Sequence, residues 1–188
     1  SPSNAKPNIL IILADDLSWF DLGCYGSEDV RTPNIDQLAR EGMTFTHAYT
    51  ATAMCSPTRQ QLYTGLFPAR SGAMANHSSV KPGTRSMVHH LSELGYEVSL
   101  SGKEHFGPPE SFPFERKEGL SIPSGPEPFC LVHASKKPHD GWPDARGYDP
   151  SALTVPPYLV DNLETRRSLS RYFTEITELD EEVKTLLS

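Results

Sequence analysis

Cysteine is scarce in this chain: Cys24, Cys55 and Cys130 are the only three in 188 residues. None stands in a Cys-x-x-Cys spacing, which excludes a disulfide framework and a thiolate zinc site. Long apolar runs are lacking too. The longest, Ile9 to Ala14, is far short of the roughly 20 residues that a membrane-spanning helix needs. Basic residues are outnumbered, with 17 Lys and Arg against 24 Asp and Glu and a formal net charge of −7. No basic stripe tracks along the chain, which argues against a nucleic-acid binder. Any anion site must therefore be local. No internal repeat, low-complexity segment or secretion signal is visible, and Ser1 to Ala5 reads as a processed end or a cloning remnant.

What remains is a composition of 37% hydrophobic and 22% charged residues, that of an ordinary globular domain or a large piece of one. Pro7 to Asp16 (PNILIILADD) is a continuous apolar run ending in two carboxylates. Ile and Leu without alternation suit a strand buried on both faces of a parallel sheet. Ligands of open α/β sheets gather just beyond the carboxyl ends of the strands, where Asp15 and Asp16 stand. Adjacent carboxylates repel one another, so a hard cation such as Ca²⁺ or Mg²⁺ is one explanation of the pair, and a solvated, capping turn is the other.

Thr32 to Gly42 reads as a helix, with a cap-type Thr, Pro in the first turn and a terminal Gly. Met43 to Tyr49 reads as a short strand leading to the Cys55 loop. The stretch Cys55-Ser56-Pro57-Thr58-Arg59 places a small nucleophilic side chain at the mouth of a helix that Gly65 closes. Pro57 suits the first helical position, because its missing N–H would go unpaired there. The free N–H groups and positive dipole end of such a helix favour an anionic nucleophile or oxyanion, and Arg59 offers a planar fork for a tetrahedral anion. This chemistry points to phosphate or sulfate. A buried structural cysteine before a helix fits the same five residues.

Residues 66–83 read as loop, with His77 in it either facing a cleft or, the simpler reading, a surface histidine. A helix is expected over Thr84 to Gly95, then a strand over Tyr96 to Leu100 that delivers Lys103 and His105. These two would point the same way if the backbone stays extended. Residues 106–128 read as irregular. Phe129 to Ala134 reads as another buried strand ending in polar residues up to His139 and Asp140, and Gly141 to Asp161 as a structureless excursion. From about Thr165 a long amphipathic helix begins, with Leu169, Tyr172, Phe173, Ile176, Leu179, Val183 and Leu186 at core spacing and Asp180, Glu181 and Glu182 on a solvated face.

Taken together, PNILIILADD, TPNIDQLAREG, Cys55-Ser56-Pro57-Thr58-Arg59 with Leu62-Tyr63-Thr64-Gly65, Gly102-Lys103-x-His105 and Pro138-His139 resemble, in family order, the N-terminal part of the type I sulfatases. That family lies within the alkaline phosphatase-like superfamily. The resemblance implies an α/β sandwich with a central, mostly parallel sheet flanked by helices, and residues 1–188 as the N-terminal part of the catalytic domain. It further implies that Cys55 is oxidised to formylglycine, whose hydrate attacks the sulfur of a sulfate ester beside a divalent cation. Asp15, Asp16 and residue 55 match ligands of that cation, usually Ca²⁺. Arg59 matches the residue holding the formylglycine hydroxylate, and Lys103 and His139 match residues gripping sulfate oxygens. His105 matches the residue that takes the second diol proton, so that the sulfated hemiacetal collapses and regenerates the aldehyde.

The family's remaining metal ligands and a further Lys lie beyond the long helix. The C-terminal half is therefore expected as a separate chain or a missing segment. The interval from His105 to Phe129 is also shorter than the family usually shows. A small sulfated substrate, by family frequency a carbohydrate, and a periplasmic, secreted or lysosomal setting are what the resemblance favours. Two other readings stay open: a phosphonate or phosphate ester hydrolase of the same superfamily, and a catalytically inactive sulfatase-like subunit with Cys55 unmodified.

Overall fold

Apolar runs bounded by polar residues at both ends make the sheet. The computed structural model describes residues 6–188, so the Ser1 to Ala5 reading lies outside the described residues. The chain divides into two units, one comprising the chain up to Leu13 together with His47–Ala134, the other comprising Ala14–Thr46 with Ser135–Ser188.

The first unit holds a four-stranded, all-parallel sheet. Its strands are β1 (Ile9–Leu13), β2 (Glu97–Gly102), β3 (Glu115–Lys117) and β4 (Phe129–Ala134), in the order β1-β4-β2-β3. The run expected to form a strand buried on both faces, Pro7 to Asp16, gives β1, which is only half-buried, whereas all six residues of β4 are buried. β1 is half-buried along its length, because it pairs on one side only. Leu13 pairs with Ala134 and Ala134 with Gly102, so three strands end level. The segments carrying Asp15, His139 and Lys103 continue from these ends. β3 was hidden in a stretch read as irregular, since Glu115-Arg116-Lys117 carries the charges that suit an edge strand.

The helices of this unit are α2 (Cys55–Thr64), α3 (Pro68–Ser71) and α4 (Met87–Glu93). Gly65 ends α2 in the left-handed region at φ 69°, its N–H donating to Gln61 O at 2.8 Å. Ser86 and His89 close a reciprocal capping box on α4, so that helix is shorter than Thr84 to Gly95. Residues 66–83 are not all loop, because α3 lies among them. The segment Met43 to Tyr49 forms no strand. Met43, Phe45 and Tyr49 are exposed, and alternation of apolar residues without a ladder partner does not make a strand. The core gathers Tyr63, Val88, Leu100, Phe112, Phe114, Cys130 and Val132, with Phe106 packed against it. Tyr63 and Phe114 meet edge to face at 5.2 Å between ring centroids.

In the second unit the long amphipathic helix is α5 (Leu163–Leu187), capped by Asn162, whose side chain accepts the Thr165 N–H at 2.9 Å. It packs Phe173 and Ile176 with Val30, Tyr148 and Leu153. One face of α5 departs from expectation. Asp180 is buried rather than solvated and accepts the N–H groups of Asn34 and Ile35, at 3.1 and 2.8 Å, at the start of α1 (Pro33–Glu41). Lys137 has Glu178 at 2.5 Å and Glu182 at 3.7 Å. Burial works against the Lys137 ammonium, but the hydrogen bond and charges of Glu178 and Glu182 outweigh it and raise its pKa.

Candidate active site

Cys55 is the first residue of α2, which puts Pro57 at the third position instead of the first. Its missing N–H still falls within the first turn, where amide groups have no partner inside the helix. Cys55 Sγ lies 3.1 Å from His105 Nδ1. Arg59, one turn on, is 4% exposed, and its Nη1 donates to Lys103 O at 3.4 Å. A buried guanidinium one helical turn from residue 55 holds fixed positive charge where water screens it little.

Lys103 is placed by backbone. Its N–H donates to Ala134 O at 2.7 Å, prolonging the β2–β4 pairing by one residue. Gly102 before it sits at φ 87°, and a Cβ there would meet Ala134 O at 2.1 Å, so only glycine permits this crossing. His105 does not continue an extended backbone but stands at φ 53°. Its ring is turned to Cys55 by that left-handed residue, and the expectation that i and i+2 point together does not apply.

His77 is exposed in its loop, as the surface reading expected, and it also touches this group. Its Nδ1 lies 2.8 Å from His105 Nε2, with ring centroids 4.6 Å apart. Gln60, fully buried in α2, ties the surrounding loops together: Nε2 donates to Ser78 O at 2.8 Å, and Oε1 accepts Val80 N–H at 3.1 Å and Gly107 N–H at 3.4 Å. Nothing in the local sequence marks His77, because its partner is 28 residues away.

The second unit carries the carboxylates. Asp15 is 2% exposed, and its N–H donates to Lys137 O at 2.9 Å. Asp16 is in the left-handed region at φ 63°, with its exposed carboxylate 3.7 Å from His139 Nε2. Beside Asp16 lies a cleft of about 540 Å³ walled by Trp142, Tyr158, Leu159 and Tyr172, with Asp21 and Glu164 among its polar groups. Burial raises the Asp21 pKa against the pull of the Tyr172 hydroxyl that donates to it at 2.9 Å.

Among the described residues no three His, Cys, Asp or Glu side chains form a cluster able to hold a metal ion. Asp15 and Asp16 are hard oxygen donors whose chemistry fits Ca²⁺ or Mg²⁺, as two of the six or more ligands such ions take.

The chain belongs to the sulfatase family: the profile described as Sulfatase matches residues 7–125. It is 34% identical to an ulvan-active sulfatase of Formosa agariphila, over 100% of this chain and 42% of that protein. To the steryl-sulfatase of Mus musculus it is 42% identical, over 56% of this chain and 19% of that one. The chain thus spans less than half the length of these relatives. Among solved structures it resembles a 2-O GAG sulfatase with a TM-score of 0.70 at 22% identity, covering 98% of this chain and 55% of that one. The parallel sheet flanked by helices is that of the alkaline phosphatase-like fold. Family membership implies formylglycine and a divalent metal.

Proposed function

We propose that the full-length protein is a sulfuric ester hydrolase acting on a sulfated carbohydrate, with residue 55 as its nucleophile. Residues 1–188 then form part of its catalytic domain, and the remaining metal ligands come from the C-terminal half. The single observation that carries this reading is the 3.1 Å approach of His105 Nδ1 to Cys55 Sγ at the start of α2, with Arg59 buried one turn on. Formylglycine made from Cys55 would supply a diol hydroxyl in place of the thiol, and a Ca²⁺ or Mg²⁺ ion, for which Asp15 and Asp16 would be ligands, would supply a Lewis acid.

The chain's own groups do the rest. The first turn of α2 and the Arg59 guanidinium favour negative charge at residue 55. His105 takes a proton from residue 55 at Nδ1. Lys103 and His139 bind sulfate oxygens, and either can pass a proton to the departing alcohol. The ulvan-active relative and the aromatic walls of the Trp142 cleft, of a kind that stack on sugar rings, support a carbohydrate as the substrate class.

Mass spectrometry of the tryptic peptide around residue 55, from protein made in its native host, should find an aldehyde in place of the thiol. The same protein should turn over sulfated oligosaccharides faster than aryl phosphate or phosphonate esters. An intact thiol would leave the inactive-subunit reading, and preferred turnover of phosphonates the other hydrolase reading.

A further inference from the structure

Among the described residues, three that are not glycine have a positive φ: Asp16, His77 and His105. Such backbone costs of order 1–3 kcal/mol each and persists only where surrounding structure enforces it. Two of the three were named above as site residues. The third, His77, is joined to the site by a ring-to-ring hydrogen bond of 2.8 Å.

From this pair we infer that His77 is a positioning residue, holding His105 in the tautomer and orientation that residue 55 requires. This rests on the role proposed above for His105. The argument runs through four ring nitrogens. To receive a proton from residue 55, His105 Nδ1 must carry none, so its hydrogen sits on Nε2. His105 Nε2 then donates to His77 Nδ1, which must be bare, and His77 keeps its own hydrogen on Nε2. One contact thereby selects one tautomer on each ring.

The protein fixes the backbone beside both rings from outside the pair. Gln60 bonds Ser78 O and Val80 N–H on the His77 loop and Gly107 N–H on the His105 loop, and Val80 N–H also reaches Gly107 O at 2.8 Å. Both loops are thus pinned to the helix that presents Cys55. An imidazole held by a second group through its remote nitrogen is the arrangement that orients histidines in hydrolytic triads and in metal shells, and in the latter loss of the outer partner typically costs about 10–100-fold.

The test uses the full-length protein. His77→Ala should lower kcat by about 10–100-fold with KM changed less than about twofold. His77→Asn, which keeps an amide at the place of Nδ1, should recover most of that loss. Independently of turnover, long-range ¹H–¹⁵N spectra of histidine-labelled protein should show His105, assigned by its loss in His105→Gln, as the Nε2–H tautomer. That state should persist in His77→Asn and become a mixture in His77→Ala. Unchanged kcat in His77→Ala, or a His105 carrying its hydrogen on Nδ1 in the wild type, overturns the inference. If the wild type turns over no sulfate ester, the function reading fails and the spectra alone decide this one. If His77→Ala does not fold, His77→Asn and the wild-type spectrum suffice.

Discussion

Asp180 of α5 accepts two backbone N–H groups at the start of α1, those of Asn34 and Ile35, and the Asn34 side-chain amide as well, at 2.6 Å. The carboxylate does for α1 what a local cap residue ordinarily does, from 146 residues further along the chain. Removing it leaves buried donors unsatisfied and a helix start without its negative charge. Asp180→Ala should destabilise the protein by about 2–4 kcal/mol in urea unfolding, and Asp180→Asn, which keeps one acceptor, by less.

Alkaline pH should weaken the fold through Tyr63 and Cys130. Burial pushes the Tyr63 hydroxyl up from its ordinary 10.0 to about 12, with Arg59 pulling the other way, and pushes the Cys130 thiol up from 9.0 to about 11. In both cases the unfolded chain gives up its proton first. Stability is therefore flat below pH 9, then falls through the thiol window and on toward 12 through that of the phenol. The Tyr63 share is about 2–3 kcal/mol when complete. Urea midpoints between pH 8 and 11.5 should show the decline, and Tyr63→Phe should remove the Tyr63 share of it and leave the thiol's.

Arg59 and Lys103 make a contact that a second lysine could not replace. The guanidinium reaches Lys103 O while buried in α2, and its planar fork is what a tetrahedral anion matches. Arg59→Lys should lower kcat/KM for a sulfate ester by about 10²-fold with the peptide around residue 55 still converted. Equal loss of conversion in that peptide would instead place Arg59 in the maturation of Cys55.

Chelation of divalent metal should abolish turnover and leave the residue-55 aldehyde in place, with Ca²⁺ restoring the rate. Asp15→Asn should raise the Ca²⁺ concentration for half-maximal activity by more than the about 10–100-fold that losing an outer ligand partner costs. A chelated protein of undiminished activity would contradict the assignment of Asp15 and Asp16.

How far the sequence disclosed this molecule depended on the range of each interaction. β4 was legible because Phe129–Ala134 is apolar without alternation, and α5 because its apolar residues recur at helical spacing. Gly65 ended α2 as its type suggests. β3 was not legible, since Glu115-Arg116-Lys117 has no apolar face. Met43 to Tyr49 misled for the converse reason: its apolar residues lack strands to pair with. Asp180 looked solvated beside Glu181 and Glu182, because its partners are on another helix. Cys55, Arg59, Lys103 and His105 were legible as a motif set, and the structure brings Cys55, Arg59, Lys103 and His105 together within one unit. His77 was invisible, as a histidine in a loop has no local pattern that announces a bond to a second histidine.

The strand order also sets a clock. β4, the last of the four strands to be synthesised, lies between β1 and β2, and Ile9 must wait for Cys130 before it can pair. About 80 residues separate Cys55 from the end of that strand, which at 5–20 residues per second is about 4–16 s of synthesis. Throughout that interval the Cys55 segment has been made while the sheet against which Tyr63 of its helix packs cannot close. Those seconds are a window in which the conversion proposed for residue 55 would meet an unfolded segment.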